Sequence, residues 1–77
     1  MPRPPGSDQL AKRLGARIRR LRERAKLTQE RLAWDCDLGK GYLSQVEAGK
    51  RLPSLAVLSA IAGRIGVSLR TVIPADE

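Results

Sequence analysis

The period of its apolar residues is what most restricts the fold of this chain. Leu10, Leu14, Ile18, Leu21 and Ala25 recur every three or four residues, and Leu55, Leu58, Ile61, Ala62 and Ile65 do so again further on. This spacing lays side chains along one face of an α-helix. Nowhere do apolar and polar residues alternate with the period of two that a half-buried strand requires, and no segment repeats another. The helical runs are short because breakers punctuate them. Ser7 or Asp8 can cap the first helix, Thr28 the second and Ser54 the fourth. Asp37-Leu38-Gly39 breaks the second helix from a third over about residues 40–47, and Gly49 follows as a left-handed cap. Lys50-Arg51-Leu52-Pro53 forms a loop, Gly66 ends helix four, and Ser68 caps a short fifth helix that Pro74 stops. Gly63 lies inside helix four, where a missing side chain suits close helix packing. The sequence therefore predicts an all-α fold of five helices around one aliphatic core over residues 9–74. A Pro-rich basic arm occupies residues 1–8 and a short tail residues 75–77.

Composition removes several functions from this frame. The 77 residues carry 15 Lys/Arg against 8 Asp/Glu, a net charge of +7, with no His and one Cys. One domain of this size has no room for a second core. A single Cys forms no intrachain disulfide and fits a reducing compartment. Without His, neither a structural zinc site nor a His-based triad can be assembled, so no metal, cofactor or enzymatic activity is expected. Two aromatic residues are too few for a stacking platform that holds single-stranded nucleic acid. The start of the chain has no apolar stretch of a secretory signal, and no run approaches the length of a membrane span. The expected setting is cytoplasmic, and the charge points to a polyanion or an anionic surface. Eight of the positive residues fall between Lys12 and Lys26, in or next to helix one. A solvated face accounts for most of them.

The informative stretch is Thr28 to Arg51, TQERLAWDCDLGKGYLSQVEAGKR. It joins two short helices by a tight turn. Ala33 supplies the small residue needed where the helices cross, and Leu32, Cys36, Leu38, Leu43 and Val46 point to the core. Asp37 occupies the turn position that requires positive φ, which Asp tolerates better than most residues. Such a unit can present the start of its second helix to a major groove. Cys36 reads as a small core hydrophobe, since Asp35 and Asp37 disfavour a reactive thiolate. Trp34, on the outer side of helix two, either packs against helix four or the arm, or contacts another protein.

Around this unit the chain resembles the lambda-repressor/Cro-like, or XRE-type, helix-turn-helix family. The resemblance rests on Leu14-Gly15-x-Arg17-Ile18-Arg19-x-Leu21-Arg22, Leu27-Thr28-Gln29-x-x-Leu32-Ala33, Gly41-Tyr42-Leu43-Ser44-Gln45-Val46-Glu47-x-Gly49-Lys50-Arg51 and Pro53-Ser54-Leu55, then Ile61-Ala62 and Ile65-Gly66-Val67. It covers about residues 10–73. It implies a compact five-helix DNA-binding domain whose helix-turn-helix is formed by helices two and three. Arg22 and Glu47 match an internal ion pair. Lys40, Gly41, Ser44 and Gln45 match the base-reading face of helix three, with Lys40 suited to guanine and Gln45 to adenine. Thr28, Gln29, Tyr42, Lys50, Arg51 and Arg17 match phosphate-binding positions, and Gln29 also matches a brace for helix three. For Tyr42, phosphate, a thymine methyl and partial core packing stay open; Arg3 in the arm is a further candidate. The chain departs from the family pattern at Asp37, where Gly is usual, at Gly39, where a Ser or Thr cap is usual, and at Ala48, where a polar residue is usual.

The resemblance implies a double-stranded DNA-binding transcriptional regulator of bacterial or phage type, associated with the nucleoid. Repression of an inverted-repeat operator by a homodimer is the leading expectation. Leu69, Val72 and Ile73 are candidate dimer residues and serve equally well to finish the monomer core. With the chain ending at Glu77, no effector or protease domain is expected. The alternative within this fold is an antitoxin, or a controller protein of a restriction–modification system, with a protein partner as well as DNA. A lipid-surface role for basic helix one is disfavoured, because its apolar stripe is needed for the core.

Overall fold

The computed structural model describes residues 7–74 of the chain. Five helices follow in order: α1 (Ser7–Arg24), α2 (Gln29–Asp35), α3 (Lys40–Glu47), α4 (Leu55–Ile65) and α5 (Leu69–Val72), with no strand among the described residues. Three of them start on a hydroxyl. Thr28, Ser54 and Ser68 accept hydrogen bonds from the backbone N–H groups of Arg31, Val57 and Thr71. A cap of this kind contributes roughly 1 kcal/mol over alanine. α3 starts at Gly39 without a side-chain cap, as the sequence implies.

The core takes side chains from every helix. Ile18, Leu32, Leu43, Val46, Ile61 and Val72 are its largest fully buried members. Leu27, Cys36, Leu38 and Tyr42 pack against its edge. α1 lies close over the end of α3, and two glycines permit it. A Cβ on Gly15 would collide with the Val46 carbonyl oxygen and sit 2.7 Å from that of Glu47. Gly49 adopts φ 76°, and a Cβ there would stand 2.8 Å from Lys12 Cα. Both approaches involve backbone atoms, so neighbouring side chains cannot relieve them.

Between α2 and α3 the chain reverses through Asp37 at φ 58°, the conformation expected of it. Asp37 N–H donates to Trp34 O (3.1 Å) and Leu38 N–H to Ala33 O (2.8 Å), which satisfies the carbonyls left at the end of α2. Ala33 is buried at the crossing.

Several expectations are corrected. Ser7 and Asp8 belong to α1 rather than to an arm; residues 1–6, with Arg3, and 75–77 lie outside the described residues. The buried stripe of α1 is rotated from the one read by period: Leu10 is exposed, while Ala11 and Gly15 are buried. Small residues take the inner position because α3 crosses there. α1 stops at Arg24, so Ala25 and Lys26 fall beyond it, and Lys26 takes φ 64° to turn the chain. Gly63 serves no close packing, since a Cβ there meets nothing within 4 Å. Trp34 does not pack against α4; it is 81% exposed. Val72 is wholly buried and completes the monomer core, whereas Leu69 is half-buried and Ile73 is 39% exposed. Among the described residues no helix is long and apolar enough to cross a membrane.

Candidate nucleic-acid interface

α3 has two faces with separate tasks. Leu43 and Val46 are buried in the core. Lys40, Gly41, Ser44 and Gln45, the positions matched to base reading, are all exposed. Positions i, i+1, i+4 and i+5 occupy one side of a helix, so these residues form a continuous outward strip. Gly41 borders open space: a Cβ placed on it would meet nothing within 4 Å. The backbone of α3 is therefore open to approach at this point.

The inner end of α3 is fixed by charge. Glu47 Oε2 accepts from Arg22 Nε at 2.7 Å, and Glu47 Oε1 accepts from Arg22 Nη2 at 3.0 Å. The fork is bidentate, and both residues are only 8% exposed. Arg22 Nη1 donates to the Leu27 carbonyl at 2.7 Å, so the guanidinium also closes the turn after α1. The Glu47 hydrogen bond raises the Arg22 pKa above its ordinary value, against the opposing effect of burial. Gln29 Nε2 donates to Glu47 Oε1 at 3.0 Å. One carboxylate thereby joins α1, α2 and α3. Gln29 braces α3, as the resemblance implies.

Around the strip the structure gathers some of the expected phosphate-binding residues and separates one. Thr28, Gln29 and Lys40 line a shallow depression together with Arg19, Arg22 and Glu30. Lys50 and Arg51 are exposed just past α3. Arg51 lies over the Tyr42 ring, with its guanidinium carbon 5.5 Å from the centroid, while the ring packs against the core edge. Tyr42 thus has a packing role and props a cation beside α3. Arg17 does not join this group. Its Nη1 donates to the Thr71 carbonyl at 3.4 Å, and it lies about 200° round α1 from Gly15, where α3 crosses. Arg19, counted with the solvated charges of helix one in the sequence, lines this depression. Its signal was its place one helical turn before Arg22, on the same flank of α1. Leu55, expected on the apolar stripe of helix four, is exposed, as is Leu52 in the loop before it.

On the far side of α2, Asp35 accepts from Arg31 Nε at 3.1 Å and from Arg64 Nε of α4. The Arg64 hydrogen bond, with help from Arg31, lowers the Asp35 pKa below the ordinary carboxylate range. Cys36 Sγ lies 3.5 Å from the Ala60 carbonyl, and burial with the neighbouring Asp35 charge raises its pKa. No group of three or more His, Cys, Asp or Glu side chains among the described residues is arranged to hold a metal.

A capped α2, a turn through positive φ and an α3 with one buried and one open face define a helix-turn-helix module. A helix-turn-helix domain family model matches residues 13–72. The immunity repressor protein of Bacillus phage phi105 is 37% identical over 60 residues, which are 78% of this chain and 42% of the repressor. Control protein C.BamHI of Bacillus amyloliquefaciens is 37% identical over 54 residues, 69% of this chain and 67% of that protein. The restriction-modification controller protein C.AhdI of Aeromonas hydrophila superposes with a TM-score of 0.79 at 32% identity, over 82% of this chain and 96% of the other. The chain belongs to the XRE-type helix-turn-helix family of DNA-binding domains. It spans less than half the length of the phage repressor it matches.

Proposed function

We propose that this chain is a sequence-specific double-stranded DNA-binding transcriptional regulator that represses from an inverted-repeat operator as a homodimer. The observation that carries this is the outward strip of α3: Lys40, Gly41, Ser44 and Gln45 are exposed and contribute nothing to the core. Lys40 suits guanine O6 and N7, and Gln45 suits adenine N6 and N7. Thr28, Gln29, Tyr42, Lys50 and Arg51 then fix register on the phosphates, which position the protein without selecting sequence. Arg17 drops out of the phosphate set, because it is turned toward α5.

One α3 offers few base contacts, so two copies related by a two-fold axis supply the specificity. The partly exposed apolar end at Leu69, Ile73 and Pro74 fits a role as the dimer contact. Val72, being spent in the core, does not. Selection of bound sites from random duplex DNA tests the whole reading. Two inverted half-sites with centres about 34 Å apart are expected. Enrichment of no sequence, or of single half-sites, sinks the dimeric operator reading.

A second reading, in which the protein is a controller protein or an antitoxin that also binds a protein, draws support from Trp34. A tryptophan that is 81% exposed is unusual unless something covers it. Copurification of one small protein, lost on Trp34→Ala, favours this version.

A further inference from the structure

Arg19 stands in the depression it shares with Arg22, Thr28, Gln29, Glu30 and Lys40. Arg22 is buried there and every guanidinium nitrogen is already bonded: Nε and Nη2 to Glu47, and Nη1 to the Leu27 carbonyl. The cation that remains for a phosphate is Arg19 on α1; Gln29 and Lys40 line the same depression, Lys40 at the edge of the strip assigned above to the bases. Glu30 is the carboxylate of that lining. Arg19 itself is held loosely. Its Nε donates to Glu23 Oε2 at 3.3 Å, one turn along α1, and the two side chains are 64% and 55% exposed. Ion pairs of this kind contribute little in water. A phosphate, with charge and several acceptor oxygens, matches the guanidinium fork better than one distant carboxylate oxygen does.

We propose that Arg19 is a phosphate-binding residue for the DNA backbone and that Glu23 is its resident competitor. In the free protein Glu23 holds the guanidinium; in the complex a phosphodiester lying between α1 and α3 takes it over, and Glu23 is released to solvent. No bond is made or broken other than hydrogen bonds and ion pairs. Affinity is then set partly by a residue that never touches DNA, because every binding event must first undo the Arg19–Glu23 contact. This inference rests on the DNA-binding function proposed above.

Arg20 provides an internal control. It has the same charge on the same helix, but lies about 100° round from Arg19, in a separate surface dip with Arg13, Ala16, Arg17 and Pro74. The experiment measures affinity for a duplex selected from a random library over a series of salt concentrations. Arg19→Ala should flatten the slope of log K against log salt by about 0.9, the value for one phosphate contact, and Arg20→Ala by much less. Glu23→Gln should tighten binding roughly twofold, the size of an exposed pair four residues apart, and should have no such effect in the Arg19→Ala background. Equal slopes for Arg19→Ala and Arg20→Ala, or tightening by Glu23→Gln that survives loss of Arg19, would overturn the proposal. Lys50→Ala separates the two levels of inference. If it flattens the slope while Arg19→Ala does not, the phosphate site fails and the DNA-binding function stands. If neither does, the DNA-binding function fails with it.

Discussion

Replacing Glu47 with alanine removes the acceptor of three hydrogen bonds, two from Arg22 and one from Gln29. The Arg22 guanidinium stays behind, 8% exposed, with only its Leu27 carbonyl contact. Removing one partner of a buried pair costs about 3–5 kcal/mol, because the remaining charge is desolvated without compensation. A chain of 77 residues has roughly 4–12 kcal/mol of total stability at ordinary values per residue. Glu47→Ala therefore uses up between a quarter and all of it, and the melting temperature falls by about 10–40 °C. Removing both charges is a different case. Arg22→Met with Glu47→Leu leaves no stranded ion, and most of the lost stability returns. The assay is thermal and urea denaturation of the wild type, both single variants and the double variant, followed by circular dichroism. A loss below 1 kcal/mol for Glu47→Ala, or a double variant as unstable as the single ones added together, refutes the account of a buried, coupled pair.

Gly41→Ala and Gly63→Ala should each raise stability by roughly 0.5–1 kcal/mol, since both lie in helices with open space at the Cβ position; only Gly41→Ala should weaken DNA binding, measurable as a changed Kd at unchanged fold. Gln45→Ala should cost about 1–3 kcal/mol on the preferred site and relax preference at one base pair, whereas Lys50→Ala should weaken all sequences alike in a binding-site selection. Asp35 has a pKa lowered in the folded state, chiefly by Arg64, so its contribution is present above its unfolded pKa and is lost as pH falls through the lower folded value. An acid denaturation series should therefore show Asp35→Asn losing part of the stability change seen below about pH 4; an unchanged profile would count against the link. Cys36, with its pKa raised by burial, should react with iodoacetamide at neutral pH far more slowly in the folded protein than in urea.

Much of the fold was legible because local chemistry and global packing agree. Thr28, Ser54 and Ser68 announce helix starts by their hydroxyls, and Asp37 and Gly49 announce positive φ by residue type. The period of α1 implied a helix but not the rotation of its buried face. That rotation depends on how near α3 comes, and the Gly15 contact with the Val46 and Glu47 carbonyls is a tertiary fact. Trp34 shows the same limit from the other side. An apolar side chain was expected to find cover, yet α2 meets α4 through the Asp35–Arg64 ion pair and the Cys36 contact with the Ala60 carbonyl, and Trp34 stays outside. The Arg22–Glu47 pair was legible through family resemblance, whereas Arg19 was hidden in a run of basic residues that differ only in direction. Lys26 carries no residue-type signal for its left-handed turn and was not foreseen.

The division of α3 into a buried and an open face has a consequence for how such a protein can change over generations. Lys40, Gly41, Ser44 and Gln45 take no part in the core or in the Glu47 network. In the base-reading role proposed for them, substitutions at these four positions redirect target choice while the scaffold goes on folding as before. Two copies of the gene can then diverge in the sites they recognise without passing through a misfolded intermediate, and a designer has the same four positions free to vary.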